Sequence, residues 1–151
     1  MRWQSRLDAA IAALSRVRLT KLDLEVLLPL RLAAYQLLFL SRVPASAVVH
    51  DAVGQVRAAR KSSAAGLVNV VLRRLAAGEG RALPPRPSGP VDAHRDQWIE
   101  HLAVTHAHPA WLVDRWLARA PLEVVEAWLR FNNRTPPVTL RVNPLAAASG
   151  C

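Results

Sequence analysis

LRLAAYQLLFLSRVPASAVVHDAVGQVRAARKSSAAGLVNVVLRRL, residues 30 to 75, holds three helical patterns back to back. The first, Leu30–Ser41, is apolar on nearly every side, the mark of a central buried helix. Its polar exceptions are Arg31, Tyr35 and Gln36, and Arg31 and Tyr35 are four apart, so they can share a face. Pro44 opens the second pattern, Ala45–Arg60, whose apolar stripe is Val49, Ala52, Val53, Val56 and Ala59. Ser62 or Ser63 can cap the third, Ala64–Ala77, and Gly78 ends it. There Leu67, Val68, Val71, Leu72 and Leu75 make one face, while Gly66, Asn69, Arg73 and Ala77 fall opposite.

Outward from this run the chain stays helical. Trp3, Leu7, Ala10, Ile11 and Leu14 recur at helical spacing over Trp3–Val17. Asp23 is placed to cap a short helix, Leu24–Leu28, and Pro29 fits the first turn of the next one, where its missing N–H costs nothing. Residues 78–91, GEGRALPPRPSGPV, have no periodicity and read as a Pro/Gly linker between two modules, residues 1–77 and 92–151. In the second module Asp92 can cap a helix to Thr105. His108–Pro109 starts another, to Ala120, with Trp111, Leu112, Trp116 and Leu117 apolar. Pro121 precedes Leu122–Phe131, with Val124, Val125, Trp128 and Leu129 inward. Val138–Val142, VTLRV, alternates as a strand does, but a lone strand needs a partner sheet. The expected class is all-α with one terminal strand.

Lys and Arg total 20 against 11 Asp and Glu in 151 residues, a formal charge of +9. Arginine outnumbers lysine 18 to 2, a bias toward planar, bidentate contact with phosphate or toward a merely arginine-rich surface. The single cysteine, Cys151, rules out an intrachain disulfide or a four-thiolate zinc site and suits a reducing, cytoplasmic setting. No apolar run is long enough to span a bilayer, so no membrane partner is expected.

Two basic groups are the candidate binding residues. Arg57, Arg60 and Lys61 close one helix; Arg73 and Arg74 close the next. Cations at helix C-termini also follow from the macrodipole alone. An antiparallel hairpin would set the two groups at opposite ends, making two patches and not one. Asn69 shares a face with Arg73 and reads either as a polar contact to RNA or a partner, or as a solvent-side contact. His101, His106 and His108 match no common zinc spacing. Trp98, Trp111, Trp116 and Trp128 sit on apolar patterns and read as core. No phosphate loop, GxGxxG or Ser/His/Asp set is present, so no catalytic residue is assigned.

Tyr35–Gln36–Leu37, Pro44, Ala45–Val53 and Gly66–Leu67–Val68–Asn69 with Leu72–Arg73 together resemble the second half of the NusB-like helical domain. That domain occurs in the antitermination factor NusB and at the N-terminus of ribosomal RNA cytosine-5 methyltransferases of the RsmB/Sun/Fmu type. His108–Pro109–Trp111–Leu112 and Asn132–Asn133, Pro136–Pro137 and Leu140–Arg141–Val142–Asn143 resemble the region that joins this domain to the methyltransferase core. Free NusB has no such extension. Arg141 and Asn143 are the positions that carry over from the family's RNA-contacting subdomain.

The resemblance implies a partial NusB-like bundle, cut at both ends. In the family a further helical hairpin comes before it, and the S-adenosylmethionine-binding domain with the catalytic cysteines lies beyond it. The implied role is to hold ribosomal RNA for a catalytic domain that this chain lacks, with no cofactor, metal or activity of its own. The alternative is an antitermination-type protein–protein module without an enzyme. The missing hairpin would leave apolar helix faces uncovered.

Overall fold

The computed structural model describes residues 3–139. Within them the chain is all-α: α1 (Gln4–Leu14), α2 (Leu24–Phe39), α3 (Ala45–Ala58), α4 (Ala65–Ala76), α5 (Arg95–Thr105), α6 (Ala110–Leu117) and α7 (Leu122–Asn132). Two single turns of 3-10 helix, Leu19–Lys21 and Ser62–Ala64, tighten the connections before α2 and α4. The strand expected at Val138–Val142 falls largely outside the described residues; Val138 and Thr139 carry no regular structure.

α2 is the centre of the first layer and packs on α1, α3 and α4. Its uniform apolar character is the cause, since a helix touched from three sides needs apolar residues on three sides. Two expected helices, Leu24–Leu28 and Leu30–Ser41, are in fact one, with Pro29 inside it. Pro29 lacks the N–H that would reach Glu25, but that costs one hydrogen bond in a helix whose two halves bury Val26 and Leu27, and Leu30, Ala33 and Ala34, against the same bundle. Packing outweighs the lost bond. Asp23 sits at the N-cap position, yet its side chain makes no capping bond. Ser62 and Ser63 do not cap α4 either, and α5 begins at Arg95 without help from Asp92.

Three helices end alike. After α3 the Lys61 N–H bonds the Val56 carbonyl at 3.0 Å and the Arg60 N–H bonds that of Arg57 at 2.9 Å. The same pair of bonds closes α4 through Glu79 and Gly78, and α5 through His108 and Ala107. This is the Schellman closure, which needs a left-handed residue just past the cap. Gly78 supplies it without strain at φ 97°; Arg60 at φ 60° and Ala107 at φ 53° do so against their Cβ. Arg60→Gly should therefore stabilise the fold by about 1 kcal/mol, read as a raised urea midpoint. An unchanged or lowered midpoint would show that the Arg60 side chain holds the turn.

The core has two parts. Leu7, Ile11, Leu30, Val56, Val68, Val71, Leu72 and Leu75 are among those that fill the first, between α1 and α4. Trp98, Leu102, Val113, Val125 and Leu129 fill the second, among α5, α6 and α7. Residues 78–91 run between them without regular structure but are held on both sides. Arg81 donates to the Leu75 carbonyl at 3.2 Å, the Trp98 indole to the Gly89 carbonyl at 3.3 Å, and the His101 ring meets the Pro84 carbonyl at 2.8 Å. Arg86 lies over Trp98 and pairs with the buried Glu126 at 2.6 Å. α1 also packs directly on α5. Proline here supplies extended backbone, and two of the carbonyls it leaves free, those of Pro84 and Gly89, are taken up by His101 and Trp98 of α5.

Candidate nucleic-acid interface

α3 and α4 form an antiparallel hairpin: the start of α3 (Ala45, Ser46, Val49) and the end of α4 (Arg73, Ala76) line one cleft. The two basic groups are therefore at opposite ends of the hairpin. At the first end, Arg57 and Arg60 are exposed and enter no ion pair among the described residues. Lys61 differs, because its Nζ lies 2.6 Å from the Asp23 carboxylate. The hydrogen bond to Asp23, and then that carboxylate's charge, hold the Lys61 ammonium above its ordinary pKa. Its charge is engaged within the fold.

At the second end the two arginines part company. Arg74 is clamped by Glu79 at 2.6 and 2.8 Å and reaches the Leu14 carbonyl at 3.4 Å, so it fastens the end of α4 to the end of α1. Arg73 meets no carboxylate among the described residues. Its Nε donates to Asn69 Oδ1 at 3.1 Å, and both line a cleft of about 460 Å³ with Ser46, Val49, His50 and Val53. Of the expected site residues, Asn69 and Arg73 are thus brought together, while Arg57, Arg60 and Lys61 stand apart from them. Arg141 and Asn143 lie outside the described residues. Ser46 and His50 did not figure among the candidates; their i,i+4 spacing was readable, but only the hairpin register turns it toward Asn69 and Arg73.

Much of the arginine bias serves the fold. Arg31 pairs with Asp8, Arg86 with Glu126 and Arg95 with Asp114. Arg6 stacks over Trp3 and Phe39, at 5.9 and 5.4 Å from the ring centres. The fork that suits phosphate suits carboxylate equally well.

The tryptophans also divide. Trp98 is buried and Trp116 half-buried, but Trp111 is 65 % exposed and Trp128 43 % exposed, and Val124 faces solvent beside them in sequence. The core assignment is corrected for Trp111 and Trp128 alone: the buried face of the α6–α7 hairpin is supplied by Val113, Leu117, Val125 and Leu129, with Trp116 and Leu122 packed at its margin, and Trp128 meets Trp116 edge-on at 5.7 Å. The histidines make local contacts. His108 meets the His106 carbonyl at 2.7 Å, and burial lowers the pKa of His106. Among the described residues no three His, Cys, Asp or Glu side chains are grouped as a metal site would need. No helix among them is long and apolar enough to cross a membrane.

The NusB family profile matches residues 1–77, and the profile of the RsmF/B-like methyltransferase ferredoxin-like domain matches residues 108–149. The ribosomal RNA small subunit methyltransferase B of Pseudomonas syringae pv. tomato is 38 % identical over 142 residues, 94 % of this chain and 29 % of that protein. The Pseudomonas putida protein of the same name is 39 % identical over the same shares of both chains. The probable small subunit methyltransferase B of Bacillus subtilis is 33 % identical over 118 residues, 78 % of this chain and 24 % of its own length. The chain thus spans less than a third of the length of these relatives. No solved structure matches it. With the NusB match over its first half and the RsmF/B-like ferredoxin-like match within its second, the chain belongs to the NusB family.

Proposed function

We propose that this chain is an RNA-binding module of a ribosomal RNA methyltransferase, and that it positions the substrate RNA for a catalytic domain. The division into a helical RNA-binding part (1–77), a linker (78–91) and a connector (92–151) belongs to this reading. The observation that carries it is that the candidate arginines Arg57, Arg60 and Arg73 are exposed and paired with no carboxylate among the described residues, as are Arg16, Arg18, Arg42, Arg115 and Arg119. In relatives named as ribosomal RNA methyltransferases, RNA is the polyanion such a set would meet. Lys61 and Arg74 join it with charges already shared with Asp23 and Glu79. Asn69 is a polar helper, and Arg141 and Asn143, outside the described residues, belong to this reading through the family resemblance alone. The methyl donor, S-adenosylmethionine, and the catalysis belong to the whole methyltransferase.

Three arginine–phosphate contacts predict a salt slope near −2 for single-stranded RNA. Affinity for a ribosomal RNA fragment should fall about 15-fold between 50 and 200 mM salt, as fluorescence anisotropy would read it. Absence of binding at low salt would sink the proposal. It would favour the second reading, a protein–protein module, to which the exposed Leu24, Leu28 and Leu32 on one stripe of α2 also speak.

A further inference from the structure

The geometry points to the cleft between the first turns of α3 and the last turn of α4 as a seat for one unstacked nucleotide of single-stranded RNA. Its phosphate would lie on Arg73 and Asn69, and its base against Val49, Val53 and His50. This rests on the RNA-binding reading above and names the part of the RNA that the module takes.

Arg73 and Asn69 form a preset donor array. A guanidinium can only donate, so the Asn69 oxygen must face Arg73 Nε, as it does at 3.1 Å. That bond holds the guanidinium in place. It leaves the two terminal guanidinium nitrogens and the Asn69 amide nitrogen without protein acceptors among the described residues. Phosphate oxygens match such an array. Among the described residues no carboxylate lines the cleft, and none there competes for the donors or repels an anion. α3 adds to the same field. It starts behind Pro44 with no side-chain cap, and the N–H groups of Ala45 and Ser46, both at the cleft, find no acceptor among the described residues.

The rest of the cleft is unlike a bare phosphate site. Val49, Val53 and Ala76 give it an apolar wall, and the exposed His50 adds an aromatic face. Unstacked RNA bases dock on such surfaces. A volume of about 460 Å³ admits one nucleotide. A paired base cannot enter, because A-form RNA keeps its bases stacked inside the helix. The site therefore selects single strands, loops or bulges.

Two measurements on the full chain test this. In the first, a short single-stranded oligoribonucleotide and a duplex of the same length are titrated by anisotropy against wild type, Arg73→Ala, Arg73→Lys, Asn69→Ala and the Arg57→Ala/Arg60→Ala pair. Single-strand affinity should exceed duplex affinity. Arg73→Ala should lower it about ten-fold and reduce the salt slope by about 0.7. Arg73→Lys should keep the slope but not the affinity, since the fork is lost. In the second, nucleoside monophosphate and inorganic phosphate are titrated separately while the NMR signals of the His50 ring and the Asn69 side-chain amide are followed. The monophosphate should shift both; inorganic phosphate should shift Asn69 and leave the His50 ring in place. If RNA still binds but only the Arg57/Arg60 pair matters, the cleft is overturned and the RNA-binding reading stands. If RNA does not bind while the monophosphate shifts both signals, the cleft takes free mononucleotide only, and both the RNA seat and the RNA-binding reading fall. Equal responses to phosphate and nucleotide, or no response to either, overturn the nucleotide seat.

Discussion

Gly80→Ala should cost about 2–4 kcal/mol of stability, although the residue lies in the irregular segment between the two cores. Gly80 has φ +67°, and an added Cβ would stand 2.8 Å from Leu14 Cγ and 2.9 Å from the Ala10 carbonyl oxygen. Leu14 is a core residue and Ala10 is helix backbone, so neither neighbour yields easily. Two penalties add: the left-handed conformation, worth about 1–2 kcal/mol, and overpacking of the α1 surface, about 1–3 kcal/mol. A gain of about 0.4–1 kcal/mol from a less flexible unfolded chain offsets part of this. Gly78 is the control. It too is left-handed, at φ +97°, but a Cβ there meets nothing within 4 Å. Gly78→Ala should therefore show the conformational penalty alone. Urea midpoints of the two variants separate the effects. Equal losses would mean that the chain at Gly80 does not press on α1, and that the two cores are joined more loosely than the contacts around Arg81, Arg86 and Gly89 indicate.

The sequence carries the fold where the information is local. Leu30–Leu75 reads as helices because its apolar residues recur at helical spacing and because Pro44 and Gly78 punctuate it; α3 and α4 duly start and stop near the expected residues. It misleads where tertiary packing overrules a local rule. Pro29 signals a break, but α2 runs through it since both halves are buried in one bundle. Arg60 and Ala107 give no sign of a left-handed turn, because residues of their kind occupy it only when the surrounding bonds compel them. Trp111 and Trp128 sit on apolar spacing, and spacing does not say how many faces of a short hairpin are covered. The candidate site divides in the same way. Asn69 and Arg73 meet through one helix turn and were readable as a pair. Which basic side chains remain free depends on carboxylates elsewhere in the chain: Arg86 on Glu126, Lys61 on Asp23.

Arg31 is the clearest such case, and Asp8→Ala should cost about 2–3 kcal/mol. On its own helix Arg31 shares a face with Tyr35, which suggests an outward basic contact. In the fold its Nε and Nη2 meet Asp8 Oδ1 and Oδ2 at 2.7 and 2.8 Å, a bidentate pair that fastens α1 to the central α2. The Arg31 side chain is 14 % exposed and that of Asp8 26 %. Partial burial sets the pair apart from a surface ion pair, because either member left alone keeps an incompletely hydrated charge. The asymmetry in exposure sets the order of effects. Asp8→Ala strands the more buried guanidinium. Arg31→Met strands a carboxylate that water can partly reach, and it retains most of the alkyl packing, so it should cost about 1–2 kcal/mol. The Asp8→Ala/Arg31→Met double variant leaves no charge stranded and should be less destabilised than the sum of the two by about 1–2 kcal/mol. Thermal or urea unfolding of the four proteins closes this cycle. Additive losses would show that the pair does not link α1 to α2, and that the residues from Gln4 to Leu14 are held by Leu7, Ile11 and Leu14 alone. A coupled loss would explain why a chain so rich in arginine keeps a part-buried Asp–Arg pair: the fork and the carboxylate fix the rotation of α1 on α2, which apolar contacts between two smooth helices leave free to slide.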